Sequence, residues 1–236
     1  MNSDRNPIQG NPGDSAHCTI RLTRASCSFA VRWILPILGM AFLTSRAFGG
    51  SAEDFEAGRK AFRAGDIVTA MAPLRRASEA GHAAAQALYA QILDRSELDE
   101  EAVAWFRKSA EQNDPDGQFG LGSMLASGEG IKRDPIAARS WIEKSAAQGN
   151  GLAINFLAQS YINGQLGLTD ADRSSPQALG VLKQAADLGF LPAIDALAQA
   201  YAKGGYGATP DPVAAEAYAR KANEKRNAKA VPATRK

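Results

Sequence analysis

Cysteine, histidine and aromatic residues are scarce in this chain. It has 2 cysteines and 2 histidines in 236 residues, and aromatic side chains make up 7%. Because Cys18 and Cys27 both lie near the N-terminus, the chain beyond them has no thiol for a disulfide, a thiolate metal site or a cysteine nucleophile. His82 is the one histidine in that part, so no second imidazole is there to share a metal ion. We therefore predict no metal site in the body of the chain.

The chain also lacks a marked excess of charge of one sign. Its formal net charge is +2, and several of the basic residues lie in the N-terminal segment, which leaves the rest close to neutrality. A protein that binds the phosphate backbone needs a basic patch or stripe, and none is visible here. We expect no nucleic-acid partner.

A recognisable catalytic constellation is absent as well. Gly117, Gly120 and Gly122 could suggest a phosphate-binding loop, but no hydrophobic strand precedes them and no Lys-Ser or Lys-Thr pair follows. Close contact between helices explains these glycines better. No nucleophile and base are spaced for joint chemistry. The sequence therefore predicts no catalytic residues, no cofactor and no enzymatic activity.

No apolar run reaches the ~20 residues that a membrane-spanning helix needs. The run from Trp33 to Thr44 covers roughly 12 residues, follows several arginines and precedes small residues, which is typical of a secretory signal. Cleavage after Ala47 or Ala52 fits the small-residue rule. We therefore predict that residues 1–52 are a signal peptide with a disordered flank and that the mature protein is periplasmic or secreted. The alternative is an inner-membrane protein anchored by a single uncleaved N-terminal helix.

Alanine is abundant in the rest of the chain and recurs in a repeating block. The blocks are marked by four small turn residues: Gly81, Asn113, Gly149 and Gly189. A small side chain follows each of them after four residues, and a large and a small one follow after eight and nine. These offsets lie on one face of a helix, and the small positions let a neighbouring helix approach closely. Each block therefore starts with a helix, which we call the first helix.

A second helix follows in each block and has its own start signal. Three dipeptides provide it: Asp134-Pro135, Ser175-Pro176 and Asp211-Pro212. Asp or Ser before Pro is the expected N-cap followed by proline at the first helical position. The turn residue at the end of the second helix fits the left-handed position that closes a helix.

These spacings resemble the Sel-one-like repeat family, whose units are variable-length relatives of the tetratricopeptide repeat. The family pattern has Gly-x-x-x-Ala-x-x-x-Leu-Gly-x-x-Tyr in the first helix and Trp-x-x-x-Ala-Ala-x-x-Gly in the second, and the segment from Asn113 to Gly149 matches it best. The resemblance extends over residues 53–225. It implies an all-α fold, a right-handed α-solenoid of about five antiparallel helix pairs.

The resemblance also implies how the chain is organised. We expect a tetratricopeptide-like capping helix pair at residues 53–81, Sel-one-like repeats at 82–222 and a disordered basic tail at 223–236. It implies a non-enzymatic protein-protein interaction module, acting as an adaptor, regulator or assembly scaffold in an exported bacterial protein of the cell envelope. A membrane-anchored scaffold and a binder or modifier of cell-wall-derived ligands are the alternatives.

The partner is expected on the first helices, which line the concave side of such a solenoid. Positions six, ten and fourteen residues after each turn residue share one exposed side of these helices. The predicted partner-binding residues there are Gln91, Arg95, Phe119, Ser123, Asn155, Gln159, Asp195 and Gln199. Side-chain amides both donate and accept hydrogen bonds, so they suit the backbone of an extended peptide. The alternative is that these residues are the solvated polar face that any surface helix has.

Overall fold

The computed structural model describes residues 50–230, which are built from helices. Helix α1 covers residues 50–63. The others are α2 Ile67–Glu79, α3 Ala83–Arg95, α4 Asp99–Glu111, α5 Pro115–Ser127, α6 Pro135–Ala147, α7 Gly151–Asn163, α8 Asp170–Arg173, α9 Pro176–Asp187, α10 Leu191–Lys203 and α11 Pro212–Ala230. Within these residues the only β structure is an isolated bridge between Gly205 and Ala208.

The helices form five successive pairs: α1 with α2, α3 with α4, α5 with α6, α7 with α9, and α10 with α11. From α2 onwards, neighbouring long helices along the chain pack on each other, and first helices of successive pairs also touch, as α3 and α5 do. No pair can bury its apolar face alone, so each covers the next. The predicted all-α solenoid of about five helix pairs is confirmed for residues 50–230.

The predicted helix starts are confirmed at the second helices. The carboxylate of Asp134 accepts hydrogen bonds from the backbone amides of Ile136 and Ala137, at 3.1 and 3.0 Å. The hydroxyl of Ser175 accepts from Ala178 N at 3.2 Å. These side chains satisfy amides that have no partner inside the helix, which is why each helix begins there.

The four turn residues that mark the repeats all have left-handed backbone conformations. The φ angles are 89° at Gly81, 65° at Asn113, 83° at Gly149 and 79° at Gly189. The residue after each turn donates its amide back to a carbonyl in the last turn of the helix, as His82 N does to Ala77 O at 3.0 Å. This closing arrangement fixes the angle at which the next first helix begins.

Small side chains let the helices approach closely, as the glycine pattern predicted. A Cβ placed on Gly120 would overlap the ring of Phe106, and one on Gly122 would lie 2.6 Å from Ile142 Cγ1. A Cβ placed on Gly117 would likewise overlap Ser109 and Ala110 of helix α4. Close helix contact, not phosphate binding, therefore explains the glycines of helix α5.

Buried polar side chains link the second helices to the first helices beside them. Ser109 Oγ donates to Ala83 O at 2.9 Å, and Ser145 Oγ donates to Pro115 O at 2.6 Å. The repeat pattern did not predict these bonds. A buried hydroxyl without a partner is costly, so each bond favours one register between neighbouring helices.

A twelve-residue connection, residues 164–175, separates α7 from α9 and closes the end of α7. Leu166 and Leu168 are buried in the core, and α8 lies within the connection. The guanidinium of Arg173 donates to the carbonyls of Tyr161 and Ile162 at 2.8 and 3.0 Å. These carbonyls lie in the last turn of α7, where a helix has no amide left to pair with them.

The C-terminal tail differs from the prediction. Residues 223–236 were expected to be disordered, but helix α11 continues to Ala230; residues 231–236 lie outside the described residues. The segment is rich in Ala, Lys, Glu and Arg, which have high helix propensity and extend a helix that is already anchored. Ala222 is buried, and Arg226 forms an ion pair with Asp195 of α10 at 2.6 Å.

The predicted leader, residues 1–52, lies outside the described residues except for its last three, residues 50–52, which belong to α1. None of the helices within residues 50–230 is long and apolar enough to cross a membrane.

Candidate partner-binding groove

A groove of about 510 Å³ lies on the first helices at the N-terminal end of the stack. It is lined by side chains of α1, α3 and α5, by Phe106 of α4 and by Leu152 at the start of α7. We call it the first-helix groove. Its position agrees with the expectation that partners bind on the first helices.

The centre of the groove is apolar and its rings are held in place. Phe55, Leu88 and Phe119 line it together. Phe55 stacks on His82 with ring centroids 4.4 Å apart, and Phe119 meets Phe156 edge to face at 6.0 Å. Rings fixed in this way lose little conformational entropy when a ligand covers them.

His82 is a structural residue in this arrangement. Its Nδ1 accepts a hydrogen bond from Ala85 N at 3.3 Å and so caps helix α3. Its ring packs on Phe55 of the preceding pair. His82 therefore lies at a turn and packs between the first two helix pairs.

The charged groups that line the groove differ in how they are paired. Arg59 forms an ion pair with Glu56 and lies 5.6 Å over the ring of Phe55, and Arg63 is exposed to solvent. Removal from water raises the pKa of the Asp94 carboxyl, and so does repulsion from Glu129 and Asp99.

The second carboxylate in the groove is that of Asp116. Desolvation and the nearby Asp114 raise its pKa, while a hydrogen bond from Asn150 Nδ2 at 2.7 Å opposes the shift. Among the residues that the structure describes, no lysine or arginine forms an ion pair with Asp94 or Asp116. The groove therefore contains two carboxylates that no ion pair compensates, although the charge of the nearby Arg95 partly opposes the rise in the pKa of Asp94.

Three predicted partner-binding residues come together in the groove. Gln91, Phe119 and Ser123 line it on two adjacent first helices. Arg95 lies beside them with its guanidinium 5.7 Å from the ring of Phe62, which also lines the groove. The N-terminal half of the predicted set thus lies at one place.

The other predicted residues are on α7 and α10, outside the groove lining. Gln159 Nε2 donates to Asn163 Oδ1 on its own helix at 2.9 Å. Arg226 donates hydrogen bonds to both carboxylate oxygens of Asp195. Asn155 and Gln199 lie on the same two helices as these residues. The structure does not bring this half of the set together with the N-terminal half.

Two polar atoms of the predicted set are buried without a hydrogen-bond partner in the described part of the chain. They are Ser123 Oγ, at the groove, and Asn155 Oδ1 on the next first helix. Such atoms are unusual in folded proteins, because each loses its bonds to water without replacement. A ligand that offers a hydrogen bond to Ser123 would remove this penalty.

Sequence reasoning missed the groove residues that come from α1 and from helix ends. Phe55 and Phe62 are spaced by seven residues on one face of α1, and this spacing was the available signal for them. Asp94 and Asp116 carried no such signal, because acidic residues near helix ends are common for other reasons. Only the packing shows that they share a groove.

A stack of helix pairs in which each pair packs on the next defines the chain as an α-helical repeat protein. The family model described as Sel1 repeat matches residues 83–114, 115–150, 151–190 and 192–227. The chain belongs to the Sel1 repeat family. The matched segments begin at or next to the first helices α3, α5, α7 and α10.

Solved structures support the same conclusion. The protein c5321 of uropathogenic Escherichia coli, a protective antigen with an SLR fold, has 25% identity and a TM-score of 0.65; the match covers 79% of this chain and 41% of that one. The chain therefore spans about two fifths of the length of c5321. A Sel1 repeat protein from Oxalobacter formigenes has 27% identity, a TM-score of 0.58 and coverage of 79% and 76%.

A third structure supports the fold alone. A Sel1 repeat protein from Klebsiella pneumoniae subsp. pneumoniae has 18% identity and a TM-score of 0.53, and the match covers 76% of this chain and 89% of that one. No curated protein has significant similarity to the sequence.

Proposed function

We propose that this chain is a non-enzymatic interaction module that binds an extended segment of another protein in the first-helix groove. Proteins of Sel1 repeats generally act as scaffolds for protein interactions. For this chain we propose the more specific role of an adaptor, regulator or assembly scaffold. The observation that carries it is the groove itself: apolar rings held by their neighbours, bordered by Gln91 and Ser123, which can bond to a peptide backbone.

An extended segment suits this groove better than a compact small molecule does. The groove is partly open to solvent, and its polar side chains come from three different helices, α1, α3 and α5. Enclosed pockets with converging polar groups are typical of small-molecule sites. A peptide places alternate side chains on opposite sides, so one can fill the apolar centre while the backbone meets the polar groups.

Site-specific photo-cross-linking tests the proposed function. A photo-reactive amino acid replaces Gln91 in the groove or, as the matched control, Glu111, an exposed residue on the second helix α4. We expect cross-linked partner proteins from position 91 and a clear reduction at position 111. Equal cross-linking from both positions, or none from either, would contradict binding in the groove.

We further propose that the module acts in the cell envelope after export. The support is the arginine-flanked apolar segment from Trp33 to Thr44. N-terminal sequencing of the protein from the producing cell distinguishes the two forms. A start after Ala47 or Ala52 supports a periplasmic or secreted protein, and an intact segment in the membrane fraction supports the anchored scaffold instead.

A further inference from the structure

We infer that the first-helix groove selects a segment with one bulky apolar side chain flanked on both sides by lysine or arginine, with the two basic residues about four positions apart. This inference rests on the proposed function and deepens it by naming the chemistry of the partner. It follows from where the groove places its two uncompensated carboxylates relative to its apolar centre.

The carboxylates lie at opposite ends of the groove. Asp116 is in the first turn of α5, and Asp94 is in the last turn of α3. Successive first helices of a stack of hairpins point the same way, so the start of α5 lies at the same side as the start of α3. The apolar centre at Leu88 and Phe119 lies between the two carboxylates along the helix direction.

The repeat gives the spacing between the two charges. Asp94 is the thirteenth residue after Gly81, whereas Asp116 is the third after Asn113. The two residues therefore differ by ten residue positions along the direction of the first helices. At 1.5 Å per residue the separation along the helix direction is ~15 Å. An extended peptide advances about 3.3 Å per residue and turns every second side chain to the same side, so about four positions separate two side chains that both reach the groove over this distance.

Charge complementarity favours basic over acidic flanking residues. The two arginines that line the groove do not require an acidic residue of the partner, because Arg59 is already paired with Glu56 and Arg63 is exposed to solvent. The carboxylates of Asp94 and Asp116 are both partly desolvated and have no ion-pair partner among the described residues. A lysine or arginine of the partner would compensate each negative charge. Such charge pairs contribute more to the choice of partner than to the affinity.

Selection from a display library of random dodecapeptides against the full chain tests this inference. The wild type is compared with the double variant Asp94→Asn/Asp116→Asn, which keeps the side-chain size and removes both charges. The matched control is Glu111→Gln/Glu216→Gln, which removes two exposed charges from second helices. Phe119→Ala reports whether selected peptides use the groove, and circular dichroism checks that each variant is folded.

We expect the wild type and the matched control to enrich the same pattern, an apolar residue between two basic ones. The double variant should lose this enrichment, and the best peptide should bind it about tenfold more weakly, as expected for two partly exposed charge pairs. Phe119→Ala should weaken the same peptide.

Two other outcomes overturn the inference and are distinguishable from each other. Peptides that depend on Phe119 but are acidic, or show no charge preference, refute the charge rule and leave groove binding standing. Peptides that bind Phe119→Ala as well as the wild type, or a library that yields no binder, refute the proposed groove function together with the inference.

Discussion

Replacing Gly117 by alanine should destabilise the fold, although alanine is the better helix former. Gly117 lies in helix α5 against helix α4. An added Cβ would lie 2.5 Å from Ser109 Cβ and 2.8 Å from the backbone nitrogen of Ala110. A side chain could rotate away, but a backbone atom cannot, so the two helices must move apart. That movement would also strain the bond from Ser109 Oγ to Ala83 O.

The expected magnitude combines three effects. Overpacking of a tight contact costs about 1–3 kcal/mol. Leaving the buried hydroxyl or carbonyl of that bond unsatisfied costs a further ~1–3 kcal/mol. The helix propensity of alanine over glycine offsets about 1 kcal/mol. Taking the middle of each range, the free energy of unfolding should fall by about 3 kcal/mol.

Urea unfolding followed by far-UV circular dichroism measures this change. The matched control is Gly180→Ala in helix α9, where a Cβ would meet no atom within 4 Å. That variant should be more stable than the wild type by up to ~1 kcal/mol, so the two identical substitutions should shift the midpoint in opposite directions. A midpoint for Gly117→Ala at or above the wild-type value would refute the close-contact explanation.

Two further predictions concern charged residues. Asp94→Asn should be more stable than the wild type at pH 7, because the raised pKa of Asp94 means that its ionised form disfavours the folded state. Unfolding curves recorded at decreasing pH should show this difference vanish below about pH 4, where the wild-type carboxyl is neutral in both the folded and the unfolded state. An advantage that persists at low pH would contradict this cause. Arg173→Ala should lower the free energy of unfolding by about 1–2 kcal/mol through the loss of its bonds to Tyr161 O and Ile162 O. Hydrogen exchange should rise first at the end of α7, and unchanged protection there would exclude the capping role.

The local part of the fold could be read from the sequence because each signal acts over a few residues. Asp134 and Ser175 precede prolines and cap the helices that follow, as predicted. Gly81 and Asn113 adopt the left-handed conformation that ends a helix. Residues 223–230 were predicted to be disordered because they lack apolar periodicity. They are helical because their residue types have high helix propensity and continue a helix whose start is already anchored.

The site was less predictable, because it depends on contacts between distant residues. Gln91, Phe119 and Ser123 were identified from their repeat positions and do line one groove. Asp195 has the same repeat position as Phe119, yet Arg226 of the final helix binds its carboxylate. Equivalent positions in a repeat thus have different surroundings, and sequence spacing cannot distinguish them.

By itself, the sequence determined the number of helix pairs, the starts of the second helices, the turns between the repeats and the small residues that let the helices pack, since these follow from local backbone preferences and a repeated pattern. Only the tertiary structure decided that α1, α3 and α5 enclose an apolar groove with Asp94 and Asp116 at opposite ends. The reason is physical: a groove and its uncompensated charges arise from the distances between helices, and those distances are set by side chains that meet across the stack.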